Sequence, residues 1–286
     1  MIRSPARRAW ERFRAHRPAL VGAALIAAVT ALAVLAPWIS PYAPGAIDLR
    51  HVATAPSPAH LLGTDELGRD VLTRLLWGGR VSLAVGFCAM LIAAGVGVPY
   101  GAVAGFSGGR LDALMMRAVD LLLSVPAIFV LLIVASYRRG SVLTMVLYIG
   151  LFGWMGMARL VRGQVLSVRE RDFVTAARSL GAPPARIVVR HLVPNALAPV
   201  IVAATLGVAS AMLTEAALDF LGFGVPPDTP TWGNLMTNAE VYFTTAPVLA
   251  IAPGLVITAA VISVNFVGDA LRDALDPFAV ARDGQW

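Results

Sequence analysis

The chain has 286 residues, 58% hydrophobic and only 14% charged, with a formal net charge of +6 and a mean hydropathy of +0.74. A soluble domain clothes its surface in polar groups and runs about 45–50% apolar and roughly 25% charged, so this composition excludes one. All 23 basic residues are arginine, which excludes a lysine-dependent P-loop or Schiff base, and the lone Cys88 excludes an internal disulfide or a cysteine-rich metal site.

The apolar residues fall in runs near the ~20 residues that a helix needs to cross a bilayer. Unpaired backbone groups are intolerable in lipid, so the runs predict an all-α integral membrane protein with six transmembrane helices. The first, Ala19–Trp38, follows Arg3, Arg7, Arg8, Arg12, Arg14 and Arg17. That beginning resembles a secretory signal, but the length of the run and the spans after it predict a retained helix. Segment 39–80 carries Pro41, Pro44, Pro56 and Pro58, then the charged stretch Asp65–Arg80. It reads as a surface loop with a short interfacial helix, or as a contact for an external partner.

Span two, Val81–Phe106, sets Gly97, Gly101 and Gly105 on one helix face, where another backbone can approach closely, from within the chain or from a partner. Gly105-Phe106-Ser107-Gly108-Gly109 matches the G-x-S-x-G spelling of a hydrolase elbow. It follows a membrane helix instead of a strand, so the match is chance. Span three, Val119–Tyr137, begins beside Asp120, and span four is Val142–Leu160.

Between spans four and five, Glu170-Arg171-Asp172 puts acids at a helix start, and Phe173, Ala176, Ala177 and Leu180 recur at helical spacing. Gly181 ends that helix in a left-handed cap, while Pro183 and Pro184 open a second helix that Pro194 stops. The two short helices suit a lipid surface or a groove on a soluble partner. Span five, Ala196–Leu221, holds Glu215 and Asp219 four residues apart on one face, and span six is Val248–Phe266. Carboxylates in a span are costly and face a cavity or a partner. Glu215 and Asp219 are candidates for a translocation path or for helix–helix hydrogen bonds, and Asp120, near the cytoplasmic end, for the path, for snorkelling to the interface or for an Arg117 contact. The scattered His16, His51, His60 and His191 spell no zinc motif.

With a cytoplasmic N-terminus, seventeen of the 23 arginines lie inside, leaving Arg50, Arg69, Arg74, Arg80, Arg138 and Arg139 outside. This positive-inside bias makes the net charge a topology signal that also favours anionic membrane lipid, with no nucleic acid implied. The chain thus divides into 1–80 (N-terminal tail, first helix and extracytoplasmic segment), 81–270 (a five-helix core with loop 161–195) and the 271–286 cytoplasmic tail.

Phe173-Val174-Thr175-Ala176-Ala177-Arg178-Ser179-Leu180-Gly181 with His191-Leu192-Val193-Pro194-Asn195 resembles the coupling loop of ABC importer permeases. Thr175 stands where that family usually has Glu, and His191 where many members have Ile; the His and the following Pro-Asn are common in the peptide-importer branch. His60-Leu61-Leu62-Gly63-Thr64-Asp65-Glu66-Leu67-Gly68-Arg69-Asp70 is similar to that branch, the dipeptide, oligopeptide and nickel permeases of the second, "C" type. So are Phe220-Leu221-Gly222-Phe223-Gly224-Val225-Pro226-Pro227, Trp232-Gly233-Asn234 and the closing Gly268–Pro277 stretch.

The resemblance implies a permease without a cofactor or ATPase site of its own, importing short peptides by alternating access. ATP and Mg would sit on two cytoplasmic ABC ATPases, beside a second related permease and an extracytoplasmic substrate-binding protein. It further implies that Phe173, Thr175, Ala176, Ala177, Leu180, Gly181, Arg186, His191 and Pro194 meet the ATPase. A proton-coupled secondary transporter using Glu215 and Asp219 is the rival; it predicts repeated halves, and no clear repeat is visible.

Overall fold

The structure is a computed structural model that describes residues 10–11, 13–14, 16–137, 140–239 and 241–275. Arg3, Arg7, Arg8, Arg12, Arg138, Arg139 and Arg282 of the topology reading, and Asp276-Pro277 of the closing motif, lie outside the described residues.

The described chain is helical, with a lone antiparallel bridge between Thr64 and Asp70. Helix α1 (Arg17–Ile39) opens on His16, whose Nδ1 accepts from Ala19 N at 3.3 Å. Helix α2 (Val71–Ser107) begins ten residues before the apolar run because Asp70 caps it, accepting from Thr73 N at 2.8 Å. It ends where Gly108 takes φ +64°, open to glycine but strained for any other residue.

The third span corrects the sequence reading. Instead of one helix over 119–137, α3 (Gly109–Leu123) and α4 (Ala127–Tyr137) meet at 69°. Pro126 supplies no N–H and disfavours helical geometry at Val125, so the ladder breaks there. Ser124 Oγ donates to Leu121 O at 2.7 Å at the break.

Helix α5 (Val142–Arg169) outruns the predicted span by nine residues at its C-terminal end. After α6 (Asp172–Ser179), the short α7 (Pro184–Ile187) passes through a π turn (Val188–Leu192) directly into α8 (Val193–Phe220). Pro194 therefore does not stop the helix, contrary to the sequence reading. It sits in the first turn of α8, where the ladder changes from π to α spacing. Asn195 Nδ2 donates to His191 O at 2.7 Å, a side-chain bond across the junction of the π turn and α8. Helix α9 (Val248–Leu275) completes the bundle.

Five helical runs among the described residues are long and apolar enough to cross a membrane, or six if α3 and α4 form one broken span. Helix α2 packs against α5, α8 and α1, while α9 closes on α8 and α1. The face carrying Gly97, Gly101 and Gly105 lies directly on α5: a methyl added at Gly97 would sit 2.7 Å from Trp154 O, and one at Gly105 2.9 Å from Arg162 O. Their close approach is thus within the chain.

Candidate functional site

Within the segment between α5 and α8, helix α6 is anchored by Val174. Val174 is fully buried, in a cluster with Val161, Val165, Val168, Ile187 and Leu192. Sequence reading passed over it because it lies off the Phe173–Ala176–Ala177–Leu180 stripe. That stripe turns outward. Leu180 is 88% exposed and Phe173 39%, Thr175 and Ala176 are exposed, and Ala177 is half-buried.

The C-terminus of α6 is a Schellman motif: Gly181, at φ +77°, donates to Arg178 O at 2.9 Å, and Ala182 N donates to Ala177 O at 3.1 Å. Arg186 is exposed, and the half-buried His191 stands with its ring centroid 6.4 Å from that of Phe173. A rigid, capped helix thus presents an apolar ridge among arginines.

Arginines also knit this end of the bundle together. Arg162 on α5 grips Asp112 on α3 through two bonds, Nε to Oδ1 at 2.5 Å and Nη2 to Oδ2 at 2.7 Å. Arg169 Nη1 donates to Gly105 O at 3.1 Å and Phe106 O at 3.2 Å, closing the C-terminal carbonyls of α2. Asp120 pairs with Arg159 of α5, not with Arg117, because the broken third span turns it toward α5. Both side chains of that pair are about half exposed.

The opposite end is a packed polar knot. Trp232 is buried; its indole N–H donates to Leu75 O at 3.0 Å and its backbone N–H to Ser82 Oγ at 3.2 Å. Ser82 Oγ in turn donates to Glu215 Oε1 at 3.1 Å. Asp219 accepts from Val225 N at 2.7 Å and from the Thr231 hydroxyl, so it folds the 221–233 loop onto the end of α8. Arg74, 2% exposed, donates to Pro227 O at 3.1 Å and faces Asp65 at 3.5 Å, tying that loop to segment 40–70. Glu215 and Asp219 are 0% and 2% exposed, sealed inside the chain by Trp232 and its loop. Glu215 thus bonds from α8 to α2, as in the helix–helix alternative, whereas Asp219 bonds to the loop that follows its own helix.

Two cavities open between the helices. One of about 700 Å³ lies among α1, α2, α8 and α9, apolar except for Thr30, Thr205 and Arg80. The other, about 400 Å³, lies among α2, α4, α5 and α8, has no charged residue in its wall, and carries the hydroxyls of Ser210 and Thr214. Neither includes Asp120, Glu215 or Asp219. The second cavity is walled by α5 and α8, the helices on either side of α6 and α7.

Residues 97–280 match the family model described as binding-protein-dependent transport system inner membrane component, and residues 4–56 match that of the N-terminal TM domain of oligopeptide transport permease C. The chain is 37% identical to the oligopeptide transport system permease protein OppC of Bacillus subtilis (strain 168), over 93% of this chain and 87% of the relative. It is 38% identical to the di/tripeptide transport system permease protein DppC of Pseudomonas aeruginosa (strain UCBPP-PA14), over 96% and 92%. In fold it is similar to a chain from an inward-facing structure of the MetNI methionine ABC transporter, with a TM-score of 0.61 at 20% identity, covering 71% of this chain and 96% of that one.

Proposed function

This chain belongs to the family of binding-protein-dependent transport system inner membrane components, and on that premise we propose that it carries short peptides inward across the cytoplasmic membrane. It is a transport subunit whose ATP-hydrolysing partners are separate chains, and it works with a substrate-binding protein. Peptide as substrate is supported by the peptide permeases to which it is 37% and 38% identical over nearly its whole length.

The observation that carries the mechanism is the exposed ridge of Phe173, Ala176 and Leu180 on a capped helix anchored by Val174. In this reading the ridge, with Thr175, Arg186 and His191 around it, seats in a groove of an ATPase. Closure of the ATPase pair moves α6 and α7, and through them α5 and α8, as a rigid-body rocking that exposes the cavity first to one side and then to the other. The second half of the passage comes from a related permease. Both termini are cytoplasmic, which puts the ridge on the ATPase side and the Trp232 knot on the side of the binding protein; the distribution of arginine supports this orientation.

The test is crosslinking from single cysteines at Ala176 or Ser179, in a Cys88→Ser background, within the complex assembled with its ATPases. Adducts to the ATPase are expected at both sites. Their absence at every position from 173 to 192 would sink the docking role.

A further inference from the structure

A glycine inside a helix costs about 0.5–1 kcal/mol relative to alanine, so it calls for a reason. Most glycines of the bundle have one. A methyl at Gly101 would strike Ala158 O, and one at Gly207 would strike Met90 Sδ. Gly156, in the middle of α5, has none of this kind: a methyl there would meet nothing within 4 Å, and its φ is not positive. It lies in the wall of the 400 Å³ cavity, one turn from Gly153, where an added methyl would meet only Ala93 Cβ, at 3.2 Å. What Gly156 provides is empty space facing that cavity.

We infer that Gly156, seconded by Gly153, sets the width of this chain's half of the passage and so limits the side-chain bulk of the solute that can pass. The inference rests on the reading of the chain as a peptide permease. The wall carries no charge, so it does not sort peptides by the sign of their side chains. Its polar groups are hydroxyls: Thr214 Oγ1 donates to Ser210 O at 2.9 Å, which leaves its lone pairs free to accept an amide N–H from a passing backbone. Such a wall accepts any peptide backbone and discriminates by volume.

The experiment reconstitutes the full complex with Gly156→Ala, Gly156→Leu and Gly156→Trp, and measures uptake of Gly-Gly against Trp-Trp. The Trp-Trp to Gly-Gly ratio should fall with the volume added, slightly for Ala and by about tenfold or more for Leu and Trp, the scale on which a crowded apolar site rejects extra bulk. Gly95→Leu is the control, since Gly95 also faces open space but lies outside the cavity wall; its ratio should match the parent. If Gly156→Trp prevents assembly, the Ala and Leu variants still give the trend. An unchanged ratio in Gly156→Leu, or equal loss of both peptides, would overturn the inference. Failure of the parent complex to take up either peptide would instead overturn the peptide reading beneath it.

Discussion

Substituting Gly101 by alanine tests the contact between α2 and α5 directly. The added methyl would point at Ala158 O, 2.9 Å from Val161 Cβ and 3.0 Å from Arg162 N, where ordinary contact is 3.4–4 Å. Two of these three atoms belong to backbone, so no rotamer change makes room and the helices must part by about 0.5–1 Å. Overpacking of this kind costs about 1–3 kcal/mol, from which roughly 0.5–1 kcal/mol of helix propensity is recovered. The net loss, about 0–2.5 kcal/mol, lowers the melting temperature by up to roughly 10 °C on the scale of domains of 150–250 residues. Gly95→Ala, on the same helix but facing open space, gains propensity without a clash and should raise it by roughly 1–4 °C. Thermal unfolding of the two purified variants, side by side, decides. If Gly101→Ala melts at or above Gly95→Ala, backbone contact along the glycine face is not what holds these helices together.

Asp112→Asn and Arg162→Gln should be non-additive, with a double-mutant coupling of about 0.5–3 kcal/mol, because each removes the same two-bond contact; strict additivity would deny the pair. Asp219→Ala leaves Val225 N and the Thr231 hydroxyl without their acceptor and should cost about 2–5 kcal/mol; limited proteolysis would show new cleavage within 221–233. Leu180→Ser, at an exposed position, should leave stability within about 0.5 kcal/mol while depressing ATP hydrolysis stimulated by the binding protein. Val174→Asp, two residues from α6's start, should instead lower stability, as it buries an unpaired charge. Equal stability of those last two variants would contradict the assignment of Val174 as anchor.

Composition and runs of apolar residues made the helical membrane fold legible, since lipid leaves the backbone only helices or closed barrels and runs of this length without alternation suit helices. The broken third span was less so: Pro126 lies inside an unbroken apolar stretch, and hydropathy is blind to a lost N–H. Pro194 misled in the opposite direction: like Pro99, Pro199 and Pro253 it lies in a helix that continues past it, here just after a π turn, which leaves no mark in composition. The stripe on α6 was readable, but periodicity gives a face without telling which way it points. Only the tertiary structure shows that Val174 turns inward and Leu180 outward. Arg74, Arg162 and Arg169 were counted as topology charges, and their partners are remote in sequence, fifty residues away for Arg162 and Asp112. Glu215 and Asp219 were expected to face a cavity or a partner; the partners, Ser82 and Thr231, come from another helix and from a loop whose motifs carry a resemblance but no contact.

The contact of α2 with α5 has a kinematic consequence. Gly97, Gly101 and Gly105 let α5 come close to α2, with Met157, Val161 and Val165 seated directly on them, so the contact is tight and leaves little room for sliding or rolling. At one end Arg169 also bolts α5 to the last carbonyls of α2. Helices α2 and α5 therefore travel as a single strut. Of the four helices around the 400 Å³ cavity, two are held to each other, while the other two begin at breaks in the helical ladder, α4 after Pro126 and α8 after its π turn.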